Sequence, residues 1–327
     1  MLNFSMISPG LNLTLETNML NKLIIFLFCL LTLTPALGSN TPSDLLVVVS
    51  IKPIHSLTAA LMVGVGEPKL LLPENVSPHT YQLKPSHLKL LQSAKIIIWV
   101  GENLETSLAR VLRQYPNKTL TLMNIPSLSL IKQRKHRDFS IKLSADHGDH
   151  GDHNHLHLDE DPHIWLSIDN AKVISQAIAQ VLIAQDPHHR ARYQKNLAAL
   201  LSHLDALKLK IKEMLSQKKP KPYLVFHDAY QYFERSFHID SVGSIFINPH
   251  LPLSARALHD IQKLIQDHHV QCVYYETEFS QRPLQPILKE MNVQLLELDP
   301  LGYRQTLGPK GYEETMLALT EQLMKCQ

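Results

Sequence analysis

The sequence predicts an α/β fold of two lobes, each with a mostly parallel sheet flanked by helices, joined by one long rigid helix. Short apolar runs typical of buried parallel strands alternate with segments of helical periodicity. This alternation occurs twice along the chain, and an uninterrupted helical pattern separates the two stretches. Because strand–helix–strand alternation is typical of parallel sheets covered by helices, each stretch is predicted to form one lobe.

The N-terminal lobe is predicted over residues 44–187. Its first strand is the apolar run DLLVVVSI at 44–51, which has the character of a strand buried on both faces. The pattern then predicts a helix at 54–65, a strand at 68–73, a helix at 84–94, a strand at 95–101 and a helix closed by proline at 102–116.

The linking helix is predicted over residues 188–218, after a shorter helix that ends at Asp186-Pro187. From His188 to Gln217 leucines recur at helical spacing, and neither glycine nor proline interrupts the pattern. A single helix of this length spans about 45 Å, which is long for one lobe. The alternative is a helical hairpin that turns at Ser202-His203.

The C-terminal lobe is predicted over residues 219–327 and repeats the strand–helix rhythm. Ser254 is the expected N-cap of its helix at 253–270. Three strands are predicted at 222–227, 271–276 and 293–299, and further helices at 228–237, 282–292 and 311–326.

Residues 1–38 are predicted to be upstream sequence followed by a signal peptide. After Met19 come Lys22, an apolar run at 23–33 and small residues before a predicted cleavage after Gly38. The alternative, a membrane anchor, requires a longer apolar run and flanking stop-transfer charges. We therefore expect a protein that is secreted to the periplasm and has no lipid-anchoring cysteine.

Removal of the predicted signal peptide leaves two cysteines, Cys272 and Cys326. They are predicted to form a disulfide in an oxidising compartment. A cysteine metal site is the alternative, but it requires more thiols or neighbouring histidines than these positions offer.

The composition is that of a globular protein, with 44% hydrophobic residues and a formal net charge of +2. Such a small charge gives no reason to expect binding to nucleic acid. The chain contains neither a His-Glu-x-x-His nor a Gly-x-Ser-x-Gly motif, and it has no Walker lysine, so the common enzyme motifs are missing. The count of 19 histidines is the anomaly.

Four candidate metal ligands lie just beyond predicted strands or at the end of the histidine-rich stretch: His79, His163, His227 and Asp299. In open α/β sheets ligands bind at the carboxyl ends of strands, so side chains from both lobes can converge on the cleft between them. Three imidazoles and one carboxylate suit four-coordinate Zn²⁺. Taken singly, a histidine at a strand end is more often a hydrogen-bonded surface residue.

Four motifs in this order, SPHTYQLKPS, DPHIWLS, FHDAYQYF and LDPLG, resemble those of the zinc-binding solute-binding proteins of bacterial ABC importers, the ZnuA type. The resemblance covers about residues 44–327 and implies two α/β lobes with the metal in the cleft between them. It places metal ligands at His79, His163 and His227, and Asp299 matches the aspartate that related proteins use as a fourth ligand. It also implies that the protein is not an enzyme and that its partner is a membrane permease with a cytoplasmic ATPase. We expect a monomer.

A family-type histidine-rich loop is predicted at 147–157, and its glycine and aspartate spacing is typical of a flexible, soluble segment. Its candidate accessory zinc ligands are His147, His150, His153, His155 and His157. The hypothesis is capture or sensing of zinc before transfer to the cleft. The alternative is a solvated insertion without a metal function.

Three other functions remain open from the sequence. Manganese-binding relatives of the same fold tend to carry a carboxylate where this chain has His227, and a third imidazole favours zinc instead. A secreted zinc hydrolase needs an open coordination position beside a general base. A cell-surface adhesin needs a means of tethering to the surface.

Overall fold

The computed structural model describes residues 44–134, 159–246, 254–282 and 284–326. The predicted signal peptide at 1–38 and the histidine-rich loop at 147–157 lie outside the described residues. None of the helices in the described part of the chain combines the length and the apolar character needed to cross a bilayer.

The first lobe is built on a four-stranded parallel sheet of order β2-β1-β3-β4. Its central strands are almost entirely apolar and buried, because helices cover both faces of a parallel sheet. The elements are β1 (Val47–Val49), α1 (Lys52–Leu61), β2 (Lys69–Leu70), α2 (Pro85–Ser93), β3 (Ile96–Trp99), α3 (Thr106–Leu112) and β4 (Thr119–Thr121).

Two helices follow, α4 (Ile168–Gln185) and α5 (Arg190–Gln217). A 3₁₀ turn at Pro187–His189 separates them. The 28 residues of α5 give it a length of about 42 Å. It is continuous through residues 202 and 203, so the predicted single long helix is confirmed and the hairpin alternative is wrong.

The second lobe repeats the arrangement with a parallel sheet of order β6-β5-β7-β8. Ser254 caps one of its helices as predicted, since its hydroxyl accepts a hydrogen bond from the backbone N–H of Ala257. The elements are β5 (Tyr223–His227), α6 (Gln231–Phe237), β6 (Gly243–Phe246), α7 (Ala255–Asp267), β7 (Cys272–Tyr275), α8 (Gln285–Glu290), β8 (Gln294–Glu297) and α9 (Gly311–Leu323).

The C-terminal helix α9 joins the two lobes. It packs against α1 and α5, and its apolar side chains belong to the same buried core as the first sheet. Tyr312 donates from its backbone N–H to Ser56 Oγ at 2.7 Å and from its hydroxyl to the carbonyl of Trp165 at 2.7 Å. A disulfide between Cys272 and Cys326 fastens the end of this helix to β7. The described residues therefore lie in one compact unit, and the predicted lobe boundaries at 44–187, 188–218 and 219–327 stay predictions.

Glu105 is a fully buried carboxyl group just before α3. It accepts hydrogen bonds from the backbone N–H groups of Gly101 at 3.0 Å and Val100 at 3.4 Å. Desolvation by burial outweighs these bonds and raises the pKa of Glu105 to about 7. Between pH 4.5 and about 7 the folded protein therefore keeps Glu105 protonated. In the unfolded chain, with its ordinary pKa of 4.5, the same carboxyl group is ionised in this range.

We expect Glu105→Gln to stabilise the fold at alkaline pH. Because the folded pKa lies above the unfolded one, the free energy of unfolding of the wild type falls as pH rises from 4.5 to about 7. The neutral amide removes this loss, so the advantage of the variant should grow by about 2–3 kcal/mol between pH 5 and pH 8 in urea unfolding. The exposed Glu102→Gln is the matched control, and equal pH profiles for both variants would contradict the prediction.

Candidate metal centre

Three histidines from separate parts of the chain meet at one point. His79 lies in the loop between β2 and α2, His163 directly precedes a 3₁₀ turn, and His227 is the last residue of β5. Each offers a ring nitrogen within 4.8 Å of those of the other two. The ring centroids are 5.5 Å apart for His79 and His163, 5.6 Å for His79 and His227, and 5.0 Å for His163 and His227.

The strand topology accounts for this meeting. His227 ends a central strand of the second sheet, where a parallel sheet presents side chains at its carboxyl edge. His79 follows the edge strand β2 of the first sheet after a short connection. Both histidines are partly exposed, whereas His163 is buried at 5% exposure. The imidazoles thus line a site that is shared by the two lobes.

Buried carboxylates orient two of the three rings. Asp161 Oδ1 lies 2.7 Å from Nδ1 of His163, and Glu276 Oε2 lies 2.8 Å from Nδ1 of His227. A carboxylate acceptor places the ring proton on Nδ1 and leaves a lone pair on Nε2. The two Nε2 atoms lie 3.3 Å apart, so both lone pairs face the same point. Carboxylate–histidine pairs of this kind commonly stand behind metal ions.

The carboxylates are themselves fixed. Glu276 also accepts a hydrogen bond from the hydroxyl of Tyr230 at 2.8 Å, and Asp161 accepts one from Nε2 of Gln231 at 3.2 Å. Burial lowers the pKa of His227, but the charge of Glu276 and the hydrogen bond to it raise the pKa by more, so the net shift is upward. The second lobe therefore offers His227 as a basic and well-oriented imidazole.

Residues 47–326 match the family model ZnuA, described as zinc-uptake complex component A, periplasmic. This chain belongs to the ZnuA family. The resemblance carried by the four sequence motifs is therefore confirmed. Members of this family are transport components, which agrees with the prediction that the protein is not an enzyme.

Individual relatives cover almost the same part of the chain. The high-affinity zinc uptake system protein ZnuA of Haemophilus ducreyi is 36% identical over 296 residues, covering 89% of this chain and 96% of the relative. Its counterpart in Brucella abortus is 34% identical over 306 residues and covers 86% and 91%. A crystal structure of ZnuA superposes with a TM-score of 0.72 at 24% identity, covering 87% of this chain and 99% of the other, which confirms the fold.

Asp299, the fourth predicted ligand of the ZnuA-type site, does not belong to the group of three. It follows β8, and its Oδ2 accepts a hydrogen bond from the backbone N–H of Arg304 at 3.0 Å. A further carboxylate stands nearby: burial, followed by the charge of Glu276, raises the pKa of Glu278 to about 7, and Asp299 adds to this rise. Its role as a ligand stays a prediction.

The accessory ligands predicted between residues 147 and 157 lie outside the described residues. The described residues end at 134 and resume at 159, and the chain at 131–133 pairs with that at 159–161. The backbone N–H of Gln133 donates to the carbonyl of Asp159 at 2.8 Å, and that of Asp161 donates to the carbonyl of Ile131 at 2.9 Å. These two hydrogen bonds fix the backbone up to two residues before His163.

Sequence reasoning missed Asp161 and Glu276. Asp161 precedes His163 by two residues in the motif DPH, and Glu276 directly follows the strand β7. The signal for Glu276 is an acidic residue at the carboxyl end of a predicted strand, the same position that marks His227. Using that signal requires knowing that β7 lies beside β5.

Proposed function

We propose that this protein captures Zn²⁺ in the periplasm and holds it between its lobes through His79, His163 and His227, with Asp299 as the fourth ligand. It then delivers the ion to the membrane permease of an ABC importer that a cytoplasmic ATPase powers. The observation that carries the proposal is the convergence of three imidazoles, two of them with Nε2 lone pairs directed at one point.

The donor set favours zinc over harder cations. Imidazole nitrogen is a good ligand for Zn²⁺, whereas Mn²⁺ prefers oxygen ligands. Four protein ligands would give a closed shell, as storage and transport require, while a catalytic zinc keeps one position for water. These considerations weigh against the manganese-binding and hydrolase alternatives.

The remaining parts of the proposal concern the cell. Export through the signal peptide, with cleavage after Gly38, brings the protein to the compartment that the membrane permease faces. The protein acts as a monomer, and the histidine-rich loop at 147–157 collects zinc weakly before it reaches the cleft.

A titration of the protein lacking residues 1–38 tests the proposal. We expect one tightly bound zinc ion per chain by calorimetry, weaker sites besides it, and no displacement of the tight ion by excess Mn²⁺. The same protein without residues 146–158 serves as the control, because deletion of the loop should remove only the weaker sites. If no zinc ion bound tightly, zinc capture in the cleft would be refuted. If the protein without residues 146–158 kept the same number of weak zinc sites, the role of the loop would be refuted.

A further inference from the structure

His79 is the ligand with the least local support. It lies in residues 71–84, which connect β2 to α2 and contain neither a helix nor a strand. Pro73, Glu74 and Asn75 in this connection are exposed, and Asn75 has a positive φ of 61°. A connection of this kind has little intrinsic preference for one conformation. Something outside it has to fix the distance between His79 and the other two rings.

Lys52 holds this connection from one side. Its side chain is only 4% exposed, and its Nζ donates at 2.6 Å to Glu74 Oε1. The same Nζ donates to the carbonyls of Tyr303 at 3.0 Å and Gln305 at 2.7 Å. A lysine ammonium has three donors, and all three are used. Lys52 therefore ties the connection that carries His79 to the segment that follows Asp299.

Tyr303 provides a second tie between the same two segments. Its hydroxyl donates to the carbonyl of Val76, three residues before His79. Its side chain is buried, so this hydrogen bond is shielded from water. The two ties reach the connection at Glu74 and Val76, on either side of the positive-φ residue.

The segment on the other side of these ties has a fixed shape. Gly302 has a φ of +65°, and a Cβ there would collide with Thr315 Oγ1 on α9. Asp299 accepts hydrogen bonds within the same turn, from the backbone N–H groups of Gly302 at 3.3 Å and Arg304 at 3.0 Å. The turn at 299–305 is therefore a rigid support, against which a flexible connection can be held.

We infer that Lys52 and Tyr303 are positioning residues of the zinc site, which hold residues 71–84 so that His79 reaches His163 and His227. This inference rests on the proposed zinc function and adds two residues outside the proposed set of ligands. The two ties also place His79 in register with the turn that carries Asp299. Loss of either tie frees His79 to move. Zinc binding then has to order this residue, and the conformational entropy lost in doing so lowers the affinity for zinc.

The test compares Lys52→Met and Tyr303→Phe with the parent protein lacking residues 1–38. Zinc affinity and dissociation rate are measured by transfer to a chelator at buffered free zinc, so that weak sites do not contribute. We expect Lys52→Met to weaken affinity about tenfold and Tyr303→Phe about fivefold, mainly through faster dissociation. Lys118→Met is the matched control, because Nζ of Lys118 also donates to three carbonyls, all within the first lobe. Its zinc affinity should equal that of the parent.

A His79→Ala variant of the protein separates an effect of Lys52 on the position of His79 from a general effect on the stability of the fold. If Lys52 acts through His79, the Lys52→Met change has no further effect on zinc affinity once His79→Ala is present. The same factor in both backgrounds would overturn the inference, as would parental affinity in Tyr303→Phe. A parent that binds no zinc tightly would instead overturn the proposed function and the inference with it. Should Lys52→Met not fold, Tyr303→Phe, which removes a single hydroxyl, decides alone.

Discussion

Replacing His227 with alanine is expected to lower the affinity of the tight site for zinc by about a thousandfold. Tight zinc sites bind with roughly 10–16 kcal/mol, so one of the four proposed ligands contributes on the order of 4 kcal/mol, which is a factor of about a thousand. His227 sits at the end of a central strand, and its Nε2 lies 3.3 Å from that of His163, so the substitution removes one of the three converging imidazoles. Competition with a zinc chelator at buffered free zinc measures the change.

Two further variants sharpen this experiment. His203→Ala removes a half-exposed histidine of α5 that pairs with Glu313, and it should leave zinc affinity unchanged. Glu276→Gln keeps all three imidazoles but removes the carboxylate behind His227, so a loss of about 10–100-fold is expected. If His227→Ala bound zinc no more weakly than Glu276→Gln, His227 would act as a support and not as a ligand.

The larger part of the fold could be predicted from the sequence because its elements are long or strongly apolar. The strands β1, β3, β5 and β7 are buried apolar runs, and the absence of glycine and proline favours one long helix at Arg190–Gln217 over a hairpin. Two strands were missed, Thr119–Thr121 and Gly243–Phe246. Both are as short as β1 and β3, but their sequences, Thr-Leu-Thr and Gly-Ser-Ile-Phe, lack the continuous apolar run that marks those strands.

The histidines of the site could be predicted, but their supporting groups could not. A histidine after a strand is visible in the sequence, and the order of strands in a parallel sheet is not. Glu276 meets His227 because β7 pairs with β5, although 49 positions separate the two residues in the chain. Tyr303 reaches Val76 across a still longer separation. Contacts of this kind depend on how the lobes pack, which local patterns do not encode.

The position of the C-terminal helix shows the same limit. The sequence pattern assigns α9 to the second lobe, which it follows, yet its buried face packs on α1 and α5. Its end is held to the second sheet by hydrogen bonds from the hydroxyl of Tyr274 to the carbonyls of Gln322 and Leu323 and by the disulfide. The disulfide thus secures the connection between β7 and a helix that packs on α1 and α5.

Removing this disulfide with Cys272→Ser and Cys326→Ser is expected to lower the free energy of unfolding by about 4 kcal/mol. The crosslink closes a loop with a sequence separation of 54 residues, and opening it returns conformational entropy to the unfolded chain. Both cysteines are fully buried, and the hydrogen bonds of Tyr274 do not involve them, so the variant should fold with α9 in place. Urea unfolding of the zinc-free protein measures the loss without a contribution from bound metal.

Reductant provides the control for this last experiment. The wild type treated with dithiothreitol should lose about as much stability as the double variant, while the double variant should not respond to reductant at all. Equal unfolding midpoints for the oxidised wild type and the double variant would mean that packing alone holds α9 across the lobes. A fall in midpoint at an unchanged denaturant slope would instead place the effect in stability, with the crosslink holding the second sheet and the terminal helix together.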